Sequence, residues 1–211
     1  MGNQLKIGSF YSFLKLIWVS FVILFLIDII IGLGISTPLK YFDLFPSQKV
    51  YNVTTFNILK ISLLLPIVEE LIFRLPLRIS KVNLAIPLSI FLFLILYKLN
   101  IYVAVSLSLI LFAAMFTGIN KESGILNFAD NFFTKYFCVL FYFQAFIFGF
   151  LHLTNYNLEY NYFYLFPFFI ISFIIKGSFF GYLRIRYNFG IYLCIVSHII
   201  VNSIYSLVLF R

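Results

Sequence analysis

The run "LIWVSFVILFLI" at 16–27 contains no ionisable side chain, and runs of the same kind recur to the end of the chain. Stretches this apolar constrain the fold more than any other feature. In hydrocarbon every backbone N–H and C=O must be paired within the protein, so an apolar run that crosses a membrane does so as a helix or as part of a closed barrel. Barrel strands would be short and alternating, whereas these runs are long and continuous. A crossing helix needs roughly 20 mostly apolar residues. Seven segments are read as such: 11–34, 54–78, 83–98, 100–118, 134–153, 162–180 and 189–210. The expected fold is all-α, a polytopic transmembrane helical bundle of about seven spans. Composition excludes the soluble alternative: 63% of residues are hydrophobic and 10% charged, against roughly 45–50% and 25% in soluble domains.

Two of the seven segments, 83–98 and 100–118, are short and share a tight turn at "YKLN", so one of them could be re-entrant. The hydrophilic stretch 118–135 is expected to lie at the membrane interface. The first apolar segment is too long for a signal sequence and has no small-x-small cleavage site, so it reads as a retained helix. "MGNQLK" lacks the Ser or Thr at position 6 of a myristoylation signal. The net charge of +8 is spread singly between apolar runs, as in membrane loops, and this argues against a nucleic-acid partner. With the N-terminus inside, Lys6, Arg78, Lys81, Lys121, Lys135, Arg184 and Arg186 fall on the inner side. Lys40, Lys49, Lys98 and Arg211 fall outside, and the bias favours N-in, C-out. Cys138 and Cys194 stand far apart in apolar runs and read as buried small hydrophobes rather than a disulfide.

Ionisable side chains inside spans cost about 2.5–3.5 kcal/mol each on insertion scales, so the few that occur need reasons. They are Lys15, Asp28, Lys60, Glu69, Glu70, Arg74, His152, Lys176 and His198. The three lysines can snorkel to an interface. Asp28 reads as a helix–helix contact or an outer-end cap. Glu70 and Arg74 are spaced i, i+4 and can pair on one face. Glu69 points roughly 100° away and needs a partner from another helix, or a chemical task. Both histidines of the chain, His152 and His198, lie in apolar segments, with Asn202 one turn beyond His198. A single histidine there would be an interhelical hydrogen bond. Two of them, with a glutamate pair and an asparagine, suggest one converging site.

The chemistry of that set is hydrolytic. A carboxylate beside a neutral imidazole can take a proton from water. A histidine with an asparagine can donate to a developing oxyanion, and Arg74 can hold Glu70 in place. No Ser or Cys stands at an obvious spacing to either histidine, which disfavours a covalent nucleophile. Glu69, His152 and His198 would also suit a catalytic zinc ion, although no HExxH is present.

"EELIFR" (69–74), "FGFLH" (148–152) and "HIIVN" (198–202) follow, in order, the patterns EExxxR, FxxxH and HxxxN. On these motifs the chain resembles the CPBP family of intramembrane proteases, also called the Abi or CAAX-protease family. It includes the eukaryotic endopeptidase that trims prenylated CAAX proteins, and bacterial proteins linked to bacteriocin processing and self-immunity. The resemblance covers about 60–205. Residues 1–50 fit only as an extra N-terminal transmembrane helix and connection, ahead of a 51–211 protease core with an inserted helical hairpin at about 83–118. The resemblance implies Glu69 as general base with His152, Glu70 assisting and paired with Arg74, and His198 with Asn202 at the oxyanion. The preferred form uses no cofactor; the zinc form would use Glu69, His152 and His198. Two features depart from the family pattern: the hairpin between the first two motifs, which preserves helix direction, and Leu75 where many members have glycine.

The expected activity is that of an intramembrane endopeptidase. A non-catalytic immunity or assembly factor on the same scaffold is the alternative, followed by a transporter, which the lack of internal repeats disfavours. Partners are membrane lipid and a peptide or membrane-associated protein substrate. The Phe-, Tyr-, Ile- and Asn-rich composition suggests an AT-rich genome and a bacterial cytoplasmic membrane.

Overall fold

A computed structural model describes residues 10–41, 54–118, 124–156 and 164–209, and among them every regular element is a helix. Lys6, Lys49, Lys121 and Arg211, and the "MGNQLK" segment, lie outside the described residues. Helix α1 (Phe10–Ile31) runs through a wide π-helical turn, Gly32–Ser36, into α2 (Thr37–Tyr41). Next, α3 (Thr55–Leu59) passes through a second π-helical turn, Lys60–Leu64, into α4 (Leu65–Phe73) and a 3₁₀ turn, Leu75–Leu77. Then follow α5 (Lys81–Leu96), α6 (Ile101–Gly118), α7 (Gly124–Lys135), α8 (Phe137–Leu151) with a 3₁₀ extension His152–Asn155, α9 (Phe166–Arg186) and α10 (Gly190–Leu209).

Local chemistry sets the ends. Thr54 Oγ1 accepts from the Asn57 N–H at 3.2 Å to start α3, and Ser80 Oγ accepts from Asn83 N–H at 3.1 Å to start α5. The hairpin turn at "YKLN" is capped by Asn100, whose Oδ1 accepts from Tyr102 and Val103 N–H groups. α4 stops at Phe73: Arg74 N–H still reaches Glu70 O at 2.9 Å, but Pro76 has no N–H and the chain tightens into 3₁₀. The expected helix over 54–78 is thus present as an unbroken run from residue 55 to 73 that widens through one π-helical turn, and it ends at Phe73. Glu69 and Glu70 lie in the last turn and a half of α4.

Among the described residues, four helices are long and apolar enough to cross a membrane: Phe10–Tyr41, Ile101–Gly118, Phe137–Asn155 and Phe166–Arg186. Lys81–Leu96 and Gly190–Ser206 are apolar but shorter. Large apolar side chains face outward along them, among them Trp18, Phe25, Ile30, Leu109, Ile110 and Val139. Water would penalise that surface and lipid would not.

α5 packs on α6 as a hairpin and leans on α4; α8 packs on α9; α10 lies against α1, α4 and α9. Gly149 permits the α8–α9 approach, since a Cβ there would fall 2.7 Å from Ile174 Cγ1 and 3.2 Å from the Ile170 carbonyl oxygen. Two arginines cap each other's helices. Arg184 Nε donates to Arg74 O at 3.2 Å, beyond the end of α4, while Arg78 donates to Ile185 O, Tyr187 O and Asn188 O at the end of α9. Arg78, Arg184 and Arg186 thus gather at one end of the bundle.

Candidate active site

Glu70 carries the most constrained carboxylate. It is fully buried, as is Arg74. One turn separates them, and Arg74 Nε stands 3.5 Å from Glu70 Oε2. The other oxygen, Oε1, accepts a hydrogen bond from His198 Nδ1 at 2.8 Å, across from α4 to α10. An ionised carboxylate only accepts, so the proton of this hydrogen bond belongs to His198 Nδ1. The other ring nitrogen, Nε2, stands 3.6 Å from Glu69 Oε2, too long for a direct hydrogen bond. Glu69 keeps a quarter of its side chain exposed. Both glutamates thus address one imidazole, Glu70 through a hydrogen bond and Glu69 through a buried oxygen, Oε2, that has no hydrogen-bond partner among the described residues.

Arg74 is held by rings rather than by hydrogen bonds. None of its three nitrogens has a hydrogen-bond partner among the described residues. The guanidinium lies 4.4 Å from the Phe148 centroid, 5.8 Å from Phe73 and 6.0 Å from Phe180. Gly177 leaves the room: a Cβ there would meet Phe148 at 3.1 Å and Arg74 Nη2 at 3.4 Å. Phe180 also stacks on His198, with centroids 5.1 Å apart.

His152 occupies the end of α8. Its Nδ1 bonds the Phe148 carbonyl oxygen at 2.8 Å. A carbonyl only accepts, so this ring too is protonated at Nδ1 and presents its lone pair at Nε2. It stacks on Phe173 at 4.1 Å, and Phe148 sits between the two imidazoles, 4.6 Å from His152 and 6.1 Å from His198. The imidazole that stands beside Glu69 is that of His198, at 3.6 Å, while His152, the expected partner, is bonded through Nδ1 to Phe148 O. Asn202 is likewise engaged elsewhere: its Nδ2 donates to Ile61 O at 3.3 Å, in the wide turn before α4. The motif residues Glu69, Glu70, Arg74 and His198 form one cluster, His152 borders it across a phenylalanine, and Asn202 lies one turn along α10.

Both imidazoles bond through Nδ1 and leave Nε2 for water, substrate or metal. Among the described residues, however, no three His, Cys, Asp or Glu side chains are grouped to hold a metal ion. Glu69, His152 and His198 are not gathered around a common point in this arrangement.

Sequence reasoning did not find the rest of the polar framework. Ser62 and Ser206 hydroxyls bond at 2.8 Å; Ser206 donates to Ser203 O, so Ser62 is the donor between the two. Asp28 is a helix–helix contact: it pairs with Lys176 of α9 and accepts from the Tyr205 hydroxyl of α10. Lys176 does not snorkel, and lies over the rings of Phe173 and Tyr205. Cys194 is buried and donates to Phe180 O, but Cys138 is exposed, against the expectation of two buried thiols; both are free. No protein-family model, curated protein or solved structure matches this chain.

Proposed function

We propose that this chain is an intramembrane endopeptidase of the CAAX-protease type. On this reading it is a multi-pass protein of a bacterial cytoplasmic membrane with about seven spans and its N-terminus inside, acting on a peptide or a small membrane-associated protein. One observation carries the reading: His198 stands between two carboxylates, 2.8 Å from Glu70 and 3.6 Å from Glu69. A purely structural ion pair would need only Glu70 and Arg74. Glu69 is the carboxylate left over, with its buried Oε2 beside His198 Nε2 and no hydrogen-bond partner among the described residues.

In the proposed reaction Glu69 takes a proton from a water molecule whose oxygen attacks the peptide carbonyl carbon. His198 Nε2 accepts from the same water and orients it. Its tautomer is fixed by Glu70, as a buried carboxylate fixes the histidine of a hydrolytic triad. The C–N bond then breaks, and the proton passes from Glu69 to the departing amine. The products are a carboxylate and an amine, with no covalent intermediate. His152 is the second imidazole available to the substrate carbonyl or the leaving nitrogen. The apolar surroundings of Arg74 and Glu70 keep bulk water from weakening the array.

The alternative, a non-catalytic membrane factor on the same scaffold, draws support from His152, whose Nδ1 is committed to Phe148 O and whose ring is separated from His198 by Phe148. Proteoliposomes holding the wild type or Glu69→Ala, offered a peptide library and read by mass spectrometry, separate the two. Cleavage by the wild type alone is expected. A wild type and variant with identical, uncut product profiles would leave the non-catalytic factor. Cleavage that a chelator abolishes and zinc restores would return the metal form.

A further inference from the structure

We infer that Asn202 is a positioning residue. It occupies a backbone carbonyl that Pro66 leaves without a donor, and so holds the wide turn that aims Glu70 at His198. The inference deepens the proposed function, since it moves Asn202 from the oxyanion to the scaffold, but its first test does not depend on any cleavage.

The argument starts from backbone accounting. In the π-helical turn Lys60–Leu64, the Leu65 N–H bonds the Lys60 carbonyl, five residues back. Continued in the same register, the Ile61 carbonyl would take the N–H of residue 66. That residue is proline and has none. A carbonyl unpaired in an apolar bundle is costly. The group that reaches it is the side-chain amide of Asn202, from the neighbouring helix, at 3.3 Å. One turn further along α10, Ser206 accepts from Ser62 at 2.8 Å, in the same turn. His198, Asn202 and Ser206 are spaced i, i+4, i+8, so one face of α10 grips the wide turn at one end and Glu70 at the other.

The turn matters for aim. Ser62 and Glu70 are eight residues apart, which in a regular α-helix places them roughly 80° out of line. A π turn takes up one extra residue, so the two behave as if about seven apart, and the offset falls to roughly 20°. The wide turn therefore brings Ser62 and Glu70 onto one face, where both meet α10. Without it, Glu70 would swing about one residue's rotation away from His198.

The account predicts a specific suppressor. Asn202→Leu keeps bulk and removes the donor; it should lower the thermal midpoint in detergent by about 3–8 °C, the size expected for an orphaned buried carbonyl in a chain this long. Pro66→Ala supplies an N–H at residue 66. Placed on Asn202→Leu, it should recover most of the loss. On Ser206→Ala, whose partner is a hydroxyl, it should recover none. A double variant Asn202→Leu/Pro66→Ala no more stable than Asn202→Leu, or an equal recovery on Ser206→Ala, would overturn the inference. Where wild-type cleavage is measured, the double variant should cleave as well as Pro66→Ala alone. A double variant that regains its midpoint yet stays inactive would overturn it too, by placing Asn202 at the reacting carbonyl. If the wild type cleaves nothing, the proposed function fails, while the stability arm still decides this inference.

Discussion

The α4–α10 contact and the α5–α6 hairpin are built from the same apolar vocabulary but handle polarity in opposite ways. In the first, serine, asparagine, histidine, glutamate and arginine are joined across the helices: Ser62 to Ser206, Asn202 to Ile61 O, and His198 to Glu70, with Arg74 behind. In the second, small residues repeat at i, i+4, Ala85 with Ser89 and Ala104 with Ser108, and let the helices close up. There the two buried serine hydroxyls have no partner among the described residues. They line an apolar groove of about 350 Å³ with Ile86, Ile90, Phe93 and Phe112. The difference teaches that small polar residues serve shape in the hairpin and connection at the core. A polar residue in an apolar helix carries functional meaning only when its partners are counted.

The largest effect that tests this contrast is at Arg74. Arg74→Ala leaves Glu70 buried and uncompensated, and breaking such a pair costs about 3–5 kcal/mol. Folded yield in membranes should collapse. Arg74→Lys restores charge without the flat guanidinium that fits among Phe73, Phe148 and Phe180, so recovery should be partial. A fully folded, stable Arg74→Ala protein would show that the core is not held as described.

Asp28 gives an intermediate effect. Asp28→Asn removes the charge that Lys176 pairs with and should cost about 1–3 kcal/mol, seen as a lower midpoint in detergent. Adding Lys176→Met, which removes the stranded cation while keeping its stem, should recover part of it. Additive losses in the double variant would show that the two side chains do not act as a pair.

The smallest effect has the sharpest sign. Ser62→Ala and Ser206→Ala should each destabilise by about 1 kcal/mol, because each strands a bonded hydroxyl. Ser89→Ala and Ser108→Ala remove hydroxyls without a hydrogen-bond partner among the described residues, so they should be neutral or stabilising by up to about 1 kcal/mol. Equal losses at all four positions would erase the distinction between the two regions.

The helical architecture was legible because lipid leaves a long apolar run few choices. The starts of α5 and α6, the hairpin turn and the Glu70–Arg74 pair all follow from local spacing. The end of α4 follows from Pro76, but the wide turn ahead of Pro66 rests on a carbonyl met from 141 residues away, which periodicity does not encode. Glu69 was identified as the carboxylate without a local partner. That its imidazole is His198 rather than His152 depends on where α8 ends and on the Phe148 ring lying between, both matters of packing. For Asp28 the sequence left a helix–helix contact and an outer-end cap both open for the same reason: its partners Lys176 and Tyr205 sit on two other helices.

The central claim is that two adjacent glutamates divide the work, Glu70 holding the structure and Glu69 doing the chemistry. Measuring both the thermal midpoint and peptide cleavage for Glu69→Gln and Glu70→Gln in the same proteoliposome preparation tests it most directly. Glu69→Gln should keep the wild-type midpoint within a few degrees and lose cleavage by at least about a hundredfold, the scale of a general base. Glu70→Gln should lose stability and cleavage together. A Glu69→Gln protein that cleaves at the wild-type rate, or that unfolds as readily as Glu70→Gln, would contradict the account.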